Sequence, residues 1–130
     1  MGVGEFGRIG EETVQEIVIA SPGGATASIV TIGAALRDLA VPLVGGGTRH
    51  VALGFDDAAG YADNPGHVGV MVGRCANRIA GGRFHLDGRT YDLPINDSGR
   101  NTLHGGPQGF TRRIWRLEEA TETSVTLSLV

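Results

Sequence analysis

Apolar and polar residues alternate with period two along much of the chain. No stretch of twelve or more residues carries apolar positions at i, i+3, i+4 and i+7 between caps. The pattern predicts an all-β fold built from antiparallel strands. Thr13 to Ala20, with Val14, Ile17, Val18 and Ile19, reads as a strand that ends at the breaker Ser21-Pro22-Gly23-Gly24. Ala25 to Leu43 is too long for one strand and predicts two, joined near Gly33 and followed by a turn at Gly45-Gly46-Gly47. His50 to Phe55 predicts the next strand, and Asp56 to Gly66 a loop with one helical turn. Val68 to Gly73, a short apolar run bounded by glycine, predicts a strand buried on both faces.

The clearest local signal lies between Gly82 and Leu93. Phe84, Leu86, Tyr91 and Leu93 flank an Asp87-Gly88 pair, the sequence signature of a tight hairpin. Asn96 to Gly109 reads as a long polar, glycine-rich loop, of the kind that compact domains keep for function. Ile114 to Leu117 and Ser124 to Val130 predict the last strands. Val125, Leu127 and Leu129 alternate inward up to Val130, so residues 1–130 are expected to form the amino-terminal part of one larger domain. An apolar edge of that kind calls for self-association or for a carboxy-terminal portion to cover it. The alternative is an edge strand that closes a small sandwich.

A length of 130 residues suffices for one hydrophobic core without disulfides or metals. The 11 basic residues are all arginine, scattered along the chain, and the net charge is −3. Nucleic-acid binding needs a positive stripe to neutralise phosphates, so no nucleic-acid partner is expected. Cys75 is the lone cysteine and cannot form an internal disulfide, which fits a reducing, cytoplasmic setting. Its place after an apolar run reads as a small buried hydrophobe. The start of the chain has neither the charge nor the apolar run of a signal peptide, and no apolar stretch is long enough to span a bilayer, so no membrane association is expected. Asn96-Asp97-Ser98 spells a glycosylation acceptor, which has meaning only in a secreted protein.

Gly2-Val3-Gly4-Glu5-Phe6-Gly7 matches the letters of a dinucleotide-binding fingerprint but lacks the preceding strand and following helix that the chemistry needs. Without lysine no phosphate-binding P-loop can form. Two other segments put polar side chains against a glycine-rich backbone: Gly73-Arg74-Cys75-Ala76-Asn77-Arg78-Ile79 and Asn101-Thr102-Leu103-His104-Gly105-Gly106-Pro107-Gln108-Gly109-Phe110. Arginine and asparagine offer several donors in fixed directions, which suits the dense hydroxyls of a sugar. Histidine can donate to a ring oxygen or exchange a proton near neutral pH. Taken singly, Arg74 or Arg78 reads as a surface ion pair and a loop histidine as structural; their joint occurrence favours a site. Of the remaining histidines, His85 should face solvent and His67 is retained as a pocket-wall candidate.

These segments, with the hairpin Gly82-Arg83-Phe84-His85-Leu86-Asp87-Gly88-Arg89-Thr90-Tyr91, Leu93-Pro94-Ile95-Asn96 and Trp115, resemble the aldose 1-epimerase (galactose mutarotase) family in order and spacing. Gly33-Ala34, Val41-Pro42 and Leu53-Gly54-Phe55-Asp56 extend the likeness toward the amino terminus. The resemblance implies an antiparallel β-sandwich of the galactose mutarotase type, incomplete in this chain. It also implies interconversion of the α and β anomers of an aldohexose substrate, with no metal and no organic cofactor. The family's substrate-binding asparagine, arginine and histidine fall on Asn77, Arg78 and His104. In the family's reaction a glutamate removes the anomeric hydroxyl proton while a second histidine protonates the ring oxygen; the ring opens, the aldehyde rotates, and closure gives the other anomer. Both groups belong to the family's later portion, so no catalytic residue is assigned within these 130 residues. Glu118, Glu119 and Glu122 read instead as a solvated acidic edge. The alternative is an inactive carbohydrate-binding or regulatory module.

Overall fold

The computed structural model describes residues 1–129. Five antiparallel strands form one meander in chain order: β1 (Gly2–Ile9), β2 (Glu12–Ala20), β3 (Thr26–Val30), β4 (Ala35–Pro42) and β5 (Thr48–His50). Three short ribbons follow. β6 (Arg78–Ala80) pairs with β9 (Asn101–Leu103), β7 (Arg83–Leu86) with β8 (Arg89–Asp92), and β10 (Arg116–Ala120) with β11 (Val125–Ser128). Among the described residues one α-helix, α1 (Ala58–Ala62), forms and is about one turn long, and a 3₁₀ turn covers Phe110–Arg112.

The meander buries residues on both faces. Val14, Val30 and Ala35 join Ile32 and the α1 residues Ala58 and Tyr61 in one core cluster. Ile17, on the opposite side of β2, lies between Val3 and Ile29 in the ladder and is fully buried. Beyond it, Ile29 and Leu36 share an apolar groove of about 460 Å³ with Trp115, Val125 and Leu127, so the last ribbon lies over that face. The turn of the last ribbon is tied back to the meander by the Ala20 N–H, which donates to the Glu122 carbonyl at 2.7 Å.

Two bulges shape the α1 side. Phe6 is the extra residue between the Glu5–Gln15 and Gly7–Val14 pairs, and Arg37 the extra residue between Asp38–Ser28 and Leu36–Ile29. A bulge re-aims a side chain, and these two meet: the Arg37 guanidinium sits 5.2 Å from the Phe6 ring centroid. Arg37 also donates to Glu16 at 3.1 Å and to the Phe55 carbonyl at 3.2 Å. Tyr61, fully buried, packs edge-on against Phe6 and Phe55. Its hydroxyl accepts from the Phe55 N–H, and burial pushes its pKa up. Asp57 caps α1 by accepting from the Gly60 N–H at 2.8 Å.

Several expectations are corrected. β1 was not anticipated: its glycine-rich letters read as a failed motif, and only pairing with β2 makes them a strand. The strand expected from His50 to Phe55 does not form: β5 covers Thr48–His50, paired with Ala40–Pro42, and residues 51–55 are not in a strand. Val68 to Gly73 is not a strand. The Leu36 N–H donates to the Gly69 carbonyl and the Met71 N–H to the Gly33 carbonyl, and Gly69 at φ +71° breaks the extended path. The loop from Asn96 to Gly109 contains β9. The strand expected at Ile114 to Leu117 begins two residues later, with Ile114 in an isolated bridge to Ile32. The last strand is Val125–Ser128; Val130 lies outside the described residues. The β7–β8 hairpin stands as expected, with Asp87 and Gly88 both at positive φ, as a type I′ turn requires.

Candidate functional site

Antiparallel pairing of β6 with β9 sets Arg78 opposite Leu103, so Asn77 and His104 face each other just past the ends of the ladder. They are bound twice. The His104 N–H donates to the Asn77 carbonyl at 3.0 Å, and the Asn77 N–H donates to His104 Nδ1 at 2.9 Å. A neutral imidazole that accepts at Nδ1 carries its proton on Nε2, so His104 presents a free N–H donor. Gly105 lets the next stretch pass: a Cβ there would lie 1.8 Å from the Gly73 carbonyl oxygen.

Arg78 is 54% exposed and is held by Asp97, whose carboxylate accepts from Nε at 2.7 Å. Its Nη1 donates to the Asn77 side-chain oxygen at 3.3 Å. The hydrogen bond with Asp97 pushes the arginine pKa up. Asp97 in turn is held below the usual carboxylate range, first by Arg78, then by Asn101. Asn96 ties the next backbone segment by accepting from the Leu103 N–H at 2.7 Å and donating to the Leu103 carbonyl at 3.0 Å. The polar letters of Asn96-Asp97-Ser98 therefore serve to hold β9 and Arg78.

All three sequence-derived candidates, Asn77, Arg78 and His104, come together in one open cluster, and His67 joins them. The His67 and His104 rings meet edge to face at 4.6 Å between centroids. His67, Asn77 and His104 all hold a left-handed backbone, at φ +52°, +60° and +51°. Non-glycine residues pay for that conformation in strain, which concentrates at functional sites. Asp97 and Asn96 were missed because nothing in a polar loop tells a supporting residue from a solvated one. Arg74 takes no part in the cluster; its guanidinium lies over the Phe110 ring at 5.5 Å. Cys75, expected to be buried, is free and exposed, because the chain before it is a surface loop rather than a sandwiched strand. Glu118 pairs with Arg116 and Ser128 on the last ribbon, and Glu119 and Glu122 are exposed. Among the described residues, no three His, Cys, Asp or Glu side chains are grouped to hold a metal ion.

This fold has solved counterparts. A GalM/aldose epimerase homologue from C. elegans superposes with a TM-score of 0.81 at 35% identity, over 88% of this chain and 35% of that one. Galactose 1-epimerase from Lactobacillus acidophilus shares the fold at a TM-score of 0.75 and 23% identity. Among curated proteins, the galactose mutarotase of Bos taurus is 45% identical over 87 residues, 67% of this chain and 25% of its own length. The aldose 1-epimerase of Escherichia coli is 34% identical over 87% of this chain and 32% of its own. The maltose epimerase of Levilactobacillus brevis is 38% identical over 95% and 36%. The chain thus spans about a quarter to a third of the length of these relatives. The model of the aldose 1-epimerase family matches residues 15–130, a span that holds β6, β9 and the whole Asn77–Arg78–His104 cluster, and the chain belongs to that family.

Proposed function

We infer that this chain supplies the sugar-holding part of an aldose 1-epimerase acting on hexoses such as galactose and glucose. Asn77, Arg78 and His104 are its substrate contacts. The observation that carries the reading is the double pairing of Asn77 with His104 across β6–β9, which turns two separate motifs into one array of donors. Arg78 is braced from one side by Asp97 and remains half-open to solvent, so its remaining N–H groups can reach vicinal hydroxyls. The Nε2–H of His104 suits a ring oxygen or hydroxyl.

Anomer exchange needs a base on the anomeric hydroxyl and an acid on the ring oxygen. The carboxylate within the cluster is already engaged: Asp97 holds Arg78, which keeps its pKa below the usual carboxylate range. As the resemblance to the family implies, the catalytic glutamate and the second histidine are assigned outside these 130 residues, to a carboxy-terminal portion or partner. The setting is cytoplasmic. Polarimetry of freshly dissolved α-D-galactose and α-D-glucose with the folded chain, beside a buffer blank and a His104→Ala control, tests this. The expected rate equals the blank. Mutarotation above the blank, lost in the control, would place the acid and base within the chain and overturn the assignment. Hexose binding without turnover by the full-length protein as well would favour a binding or regulatory module.

A further inference from the structure

His67 reaches the cluster from a segment remote from both motifs, and that segment is built to hold it. Asn64, only 6% exposed, closes a five-residue loop with its side chain. Its Nδ2 donates to the Val68 carbonyl at 3.0 Å, and its Oδ1 accepts from the Val68 N–H at 2.9 Å. The His67 N–H donates to the Asn64 carbonyl, and His67 sits at the left-handed φ that swings its side chain across the loop. A buried amide bonded to both backbone groups of one residue, here Val68, fixes a loop firmly, because breaking it leaves buried polar groups unpaired.

The His67 and His104 rings meet edge to face at an interplanar angle of 71°. The Nδ1 of His67 is shut off from solvent and has no hydrogen-bond partner among the described residues. Protonating that nitrogen would bury an unpaired charged donor. Desolvation lowers the His67 pKa first, then the neighbouring His104 and Arg112, so the ring stays neutral at physiological pH. A neutral ring next to His104 adds no charge to the site and contributes contact alone. His104 is then constrained twice: its Nδ1 by the Asn77 N–H, and its ring plane by His67. The two contacts restrain the ring from different directions.

We propose that His67 is a positioning residue of the sugar site, a neutral ring that braces His104 so that its Nε2–H is presented to the substrate. This rests on the reading of His104 as a sugar contact. The test has a readout that needs no sugar. Long-range ¹H–¹⁵N correlation spectra of the 130-residue chain report the ring tautomer of His104, and nuclear Overhauser effects report contact between the two rings. Wild type is expected to show the Nε2–H tautomer and ring-to-ring Overhauser effects; their absence overturns the proposal without any variant. His67→Asn keeps a residue that tolerates left-handed backbone but removes the ring. It should leave the tautomer that the Asn77 N–H sets, broaden the His104 ring signals as the ring samples more than one orientation, and lower hexose affinity by about three- to tenfold, the scale of an edge-to-face ring contact. His67→Phe keeps the ring and should restore both the signals and the affinity. Unchanged His104 ring signals in His67→Asn, or equal losses in the Asn and Phe variants, would sink the idea. If the wild type binds no hexose, the sugar reading fails, while the tautomer and ring contact still decide the role of His67.

Discussion

The five-stranded meander and the β6–β9 region are held together by different forces. In the meander, Val14, Ile17, Val30 and Ala35 are fully buried, as is Tyr61 of α1 packed against it, and apolar burial does the holding. Around β6 and β9, Asn77, Arg78 and Asn96 are exposed, and among the residues of both strands only Thr102 is buried. Order there comes from side chains bonded to backbone: Asn96 to Leu103, His104 to Asn77, and Thr102 Oγ1 to the Pro94 carbonyl at 2.7 Å. The difference teaches how one small chain can serve two ends. A dry scaffold supplies stability, and a wet region spends little of it on a core, so its donors stay open to a hydroxyl-rich ligand.

That contrast can be broken from either side. Tyr61→Ala empties the centre of the dry region and should cost about 3–5 kcal/mol, the range of large aromatic truncations, read as a fall in the urea midpoint. Asn96→Ala strands the N–H and carbonyl of Leu103 in a place water can reach. It should cost about 1 kcal/mol of stability. Its larger effect should be on hexose affinity, through the displaced His104. An Asn96→Ala midpoint shift as large as that of Tyr61→Ala would erase the distinction between the regions. The smallest effect is electrostatic. Asp97 has a pKa below its unfolded value, so its contribution is fully present above about pH 4 and is lost as pH falls through the folded pKa. Amide shifts of Arg100 and Asn101 should follow that titration in wild type and lose it in Asp97→Asn.

The same contrast explains what could be read from the sequence. Elements set by local chemistry were legible: the β7–β8 hairpin from Asp87-Gly88, both at positive φ, and one helical turn within Asp56 to Gly66, which forms as α1. β2, β3 and β4 were legible because one face of each must be apolar. Val68 to Gly73 failed because an apolar run has the same letters whether it joins a ladder or lies across the β3–β4 turn, and only Gly69 at φ +71° separates the two. The exposure of Cys75 failed for the same reason. In the site, Asn77, Arg78 and His104 stood out because their two motifs resemble those of the aldose 1-epimerase family in order and spacing. Asp97, Asn96 and Asn64 were not, since a polar residue that bonds to distant backbone carries no periodicity of its own.

The measurement that reaches the central claim most directly is a titration of the folded 130-residue chain with D-galactose and D-glucose, followed by backbone and ring NMR shifts, beside Arg78→Ala and His104→Ala. Saturable shifts confined to Asn77, Arg78, His104 and their supports, abolished in both variants with the meander unchanged, are the expected result. Saturable binding that survives both substitutions, or shifts that map to the meander instead, would contradict the assignment of the sugar site to the β6–β9 cluster.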